Sequence, residues 1–169
     1  MSLLGVLEDG RKDFHEAAAG ISAEQSSLRP NSGGWSVLEC VEHVVTVEER
    51  YLSWLSEGKP AETARDTEKE TRLFTIIRSR LRRVETPAAL RPRGRFGTFP
   101  EALAAFESVR QGSLGLVAER GATLYSIGAR HPYFGELNGV EWIQLIDGHA
   151  RRHADQIREI AESLAARVR

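Results

Sequence analysis

The chain has 169 residues, 41% of them apolar and 28% charged, with a formal net charge of −1. That is an ordinary soluble composition, long enough to bury a core as one domain without disulfide staples. A charge so near zero offers no global field for nucleic acid or anionic lipid, and no stretch approaches the roughly 18 apolar residues of a spanning helix.

The opening, MSLLGVLEDGRKD, meets charge by Glu8 and does not read as a signal peptide. From Ser2 to about Gly20, Leu3, Leu7, Phe14, Ala17 and Ala18 share one face at helical spacing, with Gly20 as a natural stop. SAEQSSLRPNSGG reads as a loop, broken by Pro30 and the Gly33-Gly34 pair. The second helix begins near Trp35-Ser36, where Ser36 and Glu39 form a capping box. Val37, Val41, Val44, Val45, Leu52 and Leu55 make its buried stripe. Cys40, Val47 and Trp54 widen that stripe enough to touch two neighbours. The lone Cys40 cannot form an intrachain disulfide, which fits a reducing compartment. A cytoplasmic protein is expected.

EGKPAETARDTEKE is polar and reads as an exposed linker, followed by a short helix from about Thr71 to Val84. TPAALRPRGRFG is an irregular crossing. Thr98 and Glu101 suggest a second capping box, opening a third long helix that buries Leu103, Phe106, Val109, Leu116 and Val117. The stretch from Gly121 to Gly135 turns the chain and ends in HPYFG. A last helix runs from about Asn138 to Ala166. One side of it carries Trp142, Ile143, Ile146, His149, Ala150, His153, Ile157, Ile160 and Leu164. The other carries Gln144, Asp147, Arg151, Asp155 and Arg158. No segment alternates strongly enough for a strand and no repeat is visible. The expected fold is all-α, a four-helix bundle with long crossover connections and a short extra helix.

His149 and His153 stand four residues apart, about 40° apart around a helix and one turn apart along it. Both rings then reach one ion, as in the zinc-protease helix motif. They lie on the apolar centreline, where buried polar atoms need partners. A third ligand is required, and the remaining candidates are His15, His43 and His131. His15 has no metal-like spacing and His131 precedes a proline in a loop. His43 lies on the margin of the second helix's apolar arc and is the choice. Three neutral imidazoles with an open position make a catalytic rather than a structural arrangement.

GWSVLECVEHVVTVEE resembles the second helix of the DinB/YfiT-like family: a Trp-Ser start, a His seven residues after the Ser, then Glu48. HPYFGELNGVEWIQLIDGHARRHADQI resembles that family's last helix and its lead-in, and ISAEQSSLRPNSGGW its first loop. The likeness spans essentially the whole chain in the same order. It implies a four-helix bundle with three histidines binding a divalent metal near one end. Carried over by position, these are His43, His149 and His153. It also implies a homodimer.

Other residues have quieter readings. Glu48 could orient a metal-bound histidine or act as a base, but its wheel angle lies far from His43, and a structural ion pair is preferred. His131 could line the mouth of the site, though a turn set by Pro132 and Gly135 is the better reading. Trp142 is expected in the core and Trp35 at the start of its helix. Cys40 reads as a small buried thiol. Gln156 and Arg152 flank the histidine pair and could face a substrate. Arg78, Arg80, Arg82, Arg83, Arg91, Arg93 and Arg95 form a cluster, but without aromatic interleaving or a nucleic-acid motif it reads as a solvated helix face and loop.

No Gly-rich phosphate loop or serine-centred elbow is present. The expected function is a divalent-metal-dependent enzyme. Its metal is zinc or nickel first, with iron or manganese as alternatives, because imidazole suits several ions. The metal would activate water, or the low-molecular-weight thiol that the family's thiol-dependent transferases use; other relatives are described as hydrolases. The alternative is a non-catalytic stress-response or interaction protein that the metal stabilises. A small-molecule substrate is expected, with no nucleic-acid or membrane partner.

Overall fold

Side-chain caps decide where the helices start. The computed structural model describes residues 2–31, 33–61, 66–81 and 85–166. Helix α1 (Leu3–Ala18) opens on Ser2, whose hydroxyl accepts from the Gly5 amide at 3.1 Å. Helix α3 (Val37–Ser56) opens on the reciprocal Ser36–Glu39 box. At α5 (Phe99–Arg120) only half the expected box forms: Thr98 accepts from the Glu101 amide, but the Glu101 carboxylate reaches back to Gly97. Helix α6 (Gly139–Ala165) opens on an Asn138–Glu141 box.

Two segments expected to be irregular carry helices, each begun by a cap. Ser22 and Gln25 box the short α2 (Ala23–Ser27). Asp66 accepts from the Lys69 amide at 2.9 Å and starts α4 at Thr67, before the expected Thr71. Helix α4 runs to Arg78, and Val84, the expected end, lies outside the described residues.

The strictly all-α expectation is corrected by a small antiparallel sheet in the order β1-β2-β3. Its strands are Lys59–Pro60 (β1), Ile127–His131 (β2) and Gly135–Asn138 (β3). Strands this short carry too little alternation to read from sequence. The β2–β3 hairpin pairs His131 with Gly135, whose φ of +73° supplies the left-handed residue that closes a three-residue loop.

The four long helices α1, α3, α5 and α6 form the bundle, with α4 packed along α6. Two apolar clusters fill it, one around Phe14, Val41, Phe106 and Ile157, the other around Leu7, Leu55, Trp142 and Leu145. Where they meet sits a fully buried arginine. Arg110 donates to Glu48 at 2.9 Å and to the Leu7 carbonyl at 3.4 Å, with Asp147 3.7 Å away. Asp147, expected on the solvent side of the last helix, is therefore buried, and it also takes Arg151 at 2.8 Å. The reason is α1, which covers that side of α6. Gly10 permits the approach: a Cβ there would lie 1.8 Å from the Asp147 carboxylate.

Candidate metal centre

His43 projects from α3, and His149 and His153 from successive turns of α6. The structure brings these three together. One ring nitrogen from each lies within 4.8 Å of the others, and all three side chains are buried. His43 Nε2 is 3.2 Å from His149 Nε2. The ring centroids are 5.0, 4.8 and 4.6 Å apart for the pairs 43–149, 43–153 and 149–153.

The protonation states follow from the surroundings. His43 Nδ1 lies 2.7 Å from the Leu90 carbonyl oxygen. A carbonyl only accepts, so Nδ1 carries the proton and Nε2 presents a lone pair. Burial pushes the His43 pKa down to about 4, with the Leu90 carbonyl opposing the shift. His149 and His153 sit well below the ordinary value, first through burial and then through neighbouring imidazoles and Arg152. Neutral imidazole is the form that ligates metals.

Whether an ion fits is decided by an orphan atom. His153 Nδ1 is buried and makes no well-formed hydrogen bond among the described residues, although the Gln156 side chain comes close enough to oppose the lowering of its pKa. A buried nitrogen left alone costs about 1–3 kcal/mol. The donor set, three borderline imidazole nitrogens with no carboxylate, suits a transition metal rather than calcium or magnesium. These residues fit a metal ion.

Across residues 7–157 the sequence matches the model of the DinB superfamily. The chain belongs to the DinB superfamily. It is also 23% identical over 161 residues to the uncharacterized protein YuaE of Bacillus subtilis (strain 168), covering 95% of this chain and 98% of that one. In structure it is similar to YfiT from Bacillus subtilis, described as a probable metal-dependent hydrolase with an unusual four-helix bundle topology. The TM-score is 0.59 at 17% identity, covering 96% of this chain and 86% of YfiT, a likeness of fold. Among the described residues no helix is long and apolar enough to cross a membrane.

Around the three histidines this DinB chain builds a wall that its sequence did not disclose. Trp35 lies over His43 at 4.7 Å and is stacked on His153 at 6.2 Å between centroids. The Glu42 carboxylate accepts backbone amides from Arg93, Gly94 and Arg95 at 2.6, 3.1 and 3.1 Å. Arg95 returns to α3 in a two-pronged pair with Glu49. The crossing read as irregular is thus clamped to α3, and the clamp steadies the nearby Leu90 carbonyl that holds His43.

The remaining candidates fall elsewhere. Glu48 faces away from the histidines into the buried cluster, accepting from Arg110 and, at 2.6 Å, from Ser113. Its pKa is raised because burial outweighs those partners. His131 is buried in the hairpin turn, its Nδ1 accepting the amides of Tyr133 and Phe134. Gln156 accepts from Arg80 at 3.4 Å, and Arg152 is half-buried beside His149 and His153, its pKa lowered by burial and by Arg80. Cys40 is buried and its thiol is pushed up by burial. His15 pairs with Glu107 at 2.9 Å, away from the cluster. Of the arginine cluster, Arg78, Arg80, Arg91 and Arg95 each meet a carboxylate, and Arg82 and Arg83 lie outside the described residues.

Proposed function

We propose that the chain is a divalent-metal-dependent enzyme in which His43, His149 and His153 hold one transition metal. The observation that carries this is the buried trio itself. It consists of three imidazoles held neutral by burial, with one nitrogen from each within 4.8 Å of the others and an orphaned nitrogen on His153.

Zinc or nickel is the expected ion, with iron or manganese next. A bound ion of this kind supplies Lewis acidity that makes water or a small thiol a nucleophile near neutral pH. The protein's own residues do the rest. The Leu90 carbonyl fixes the tautomer and plane of His43. Trp35 covers one side of the ring pair and keeps water off it. Gln156 and Arg152 stand at the flank of the histidine pair, where they would meet a small-molecule substrate. YfiT's description as a probable metal-dependent hydrolase supports hydrolysis, and the family resemblance supports thiol transfer. The same reading includes a cytoplasmic location and a homodimer, and a mass from light scattering checks the homodimer.

The test is metal content by elemental mass spectrometry on untagged protein, beside the His149→Ala/His153→Ala variant. Near-stoichiometric metal in the parent, lost in the variant, is the expected result. A parent that takes up no zinc, nickel, iron or manganese on reconstitution overturns the reading. A cobalt-substituted sample whose visible bands shift on adding a low-molecular-weight thiol would select the thiol chemistry over hydrolysis.

A further inference from the structure

The hairpin histidine, His131, has a tautomer that can be read from its partners. Its Nδ1 accepts two backbone amides, from Tyr133 at 3.1 Å and Phe134 at 3.3 Å. A nitrogen whose lone pair meets N–H donors carries no hydrogen, so the ring proton of neutral His131 is on Nε2. That Nε2 lies 3.3 Å from the Tyr51 hydroxyl oxygen. The N–H therefore donates and the phenol oxygen accepts.

This leaves the hydroxyl hydrogen of Tyr51 without a taker. Among the described residues no acceptor receives it, and Tyr51 is only 6% exposed. A buried hydroxyl normally finds a partner for its proton. Tyr51 is eight residues after His43 on α3, about two turns along the helix and about 80° further round it. Its ring stands between two histidines, 5.6 Å from His131 and 6.4 Å from His149 by centroid. It is held there edge-on to Trp142 at 5.0 Å. A groove of about 490 Å³ lies beside α3, lined by Arg50, Trp54, Leu90 and Pro132 among others but by neither Tyr51 nor the histidines. It reaches from the residue that holds His43 to the residue after His131.

We propose that Tyr51 is the hydrogen-bond donor for a ligand held at the three histidines, and that His131 is the positioning residue that aims it. The ligand class is one with a carbonyl or carboxylate oxygen at the reacting end, since a donor fixed in place selects an acceptor. This rests on the metal reading above. His131 occupies a lone pair of the phenol oxygen, so the O–H must turn to another acceptor, and the Tyr51 ring lies 6.4 Å from the His149 ring by centroid.

The test titrates acetohydroxamate, an oxygen chelator, into cobalt-loaded protein and follows the visible bands. Tyr51→Phe keeps the ring packing, and it should keep cobalt content and melting temperature while weakening acetohydroxamate about tenfold. His131→Leu should weaken it in the parent but add nothing in the Tyr51→Phe background. Unchanged affinity in Tyr51→Phe, or a parent that binds cobalt but no acetohydroxamate, overturns the donor role. An equal loss from His131→Leu in both backgrounds overturns the aiming role. A parent that takes up no cobalt overturns the metal reading and this proposal together, and metal analysis separates that failure from the others.

Discussion

The Leu90 carbonyl oxygen lies 2.7 Å from Nδ1 of His43, so a turn outside the bundle fixes the tautomer of a histidine inside it. That turn is tied down indirectly, through the Glu42 carboxylate and the three amides at Arg93, Gly94 and Arg95.

Glu42→Ala should therefore weaken metal binding without touching a ligand. Partners that orient a ligating histidine are worth about 10–100-fold in metal affinity, and this clamp acts one step further out. A loss of about tenfold is expected, read by competition with a chromophoric chelator, with helix content unchanged by circular dichroism. Parent-like affinity would show that Leu90 needs no clamp.

Glu48→Ala leaves Arg110 buried with its best partner gone. Breaking a buried pair from one side costs about 3–5 kcal/mol. Urea unfolding should show a loss of that order. Metal content should stay at the parent's level in the folded fraction, because Glu48 faces Arg110 and Ser113 rather than the histidines. A fall in metal content at full folding would place Glu48 in the metal site instead.

Gly10→Ala should be costly for a methyl group on a helix, where alanine is ordinarily favoured. The new Cβ would need to occupy space 1.8 Å from the Asp147 carboxylate. Overpacking of this kind costs about 1–3 kcal/mol. A Tm equal to or above the parent's would mean that α1 and α6 part easily.

The metal-free protein should lose stability as the medium is acidified. Burial lowers His43 and His131 to about 4, whereas the unfolded chain titrates near 6.5. Between those values the unfolded state binds protons that the folded state refuses, so stability falls as pH drops from about 6.5 toward 4. His149 and His153 act in the same direction. Added zinc should raise the melting temperature at pH 7 and lose that effect across the same window. A melting temperature indifferent to both zinc and chelator would remove the metal-stabilised, non-catalytic alternative as well.

The histidine cluster was legible because each of its residues sits on an apolar stripe. His149 and His153 mark one face of α6, and His43 the margin of the α3 arc. The long helices were legible for the same reason, and their starts from Ser36 and Thr98. What escaped depends on partners far away in sequence. Asp147 looks solvent-facing until α1 covers it, and nothing in α6 alone announces Arg110. Leu90 acts through its backbone, which carries no residue signature. Tyr51 is eight residues from His43, a helical spacing visible in the sequence, but its meaning needs the hairpin that brings His131 to it. Asp66 and Ser22 were available as caps and were outweighed by the polar residues around them.

The contact that closes the histidine cluster joins positions 106 residues apart, one from the second long helix and the others from the last. During synthesis the first of these leaves the ribosome long before its companions. No partial chain that stops short of α6 holds more than one of the three nitrogens. An ion held by the three histidines would be captured only once α6 has emerged, and a chain stopped short of α6 would stay unloaded. Bringing positions so far apart together costs loop-closure entropy before any contact repays it, so an ion there would report an assembled bundle rather than seed one.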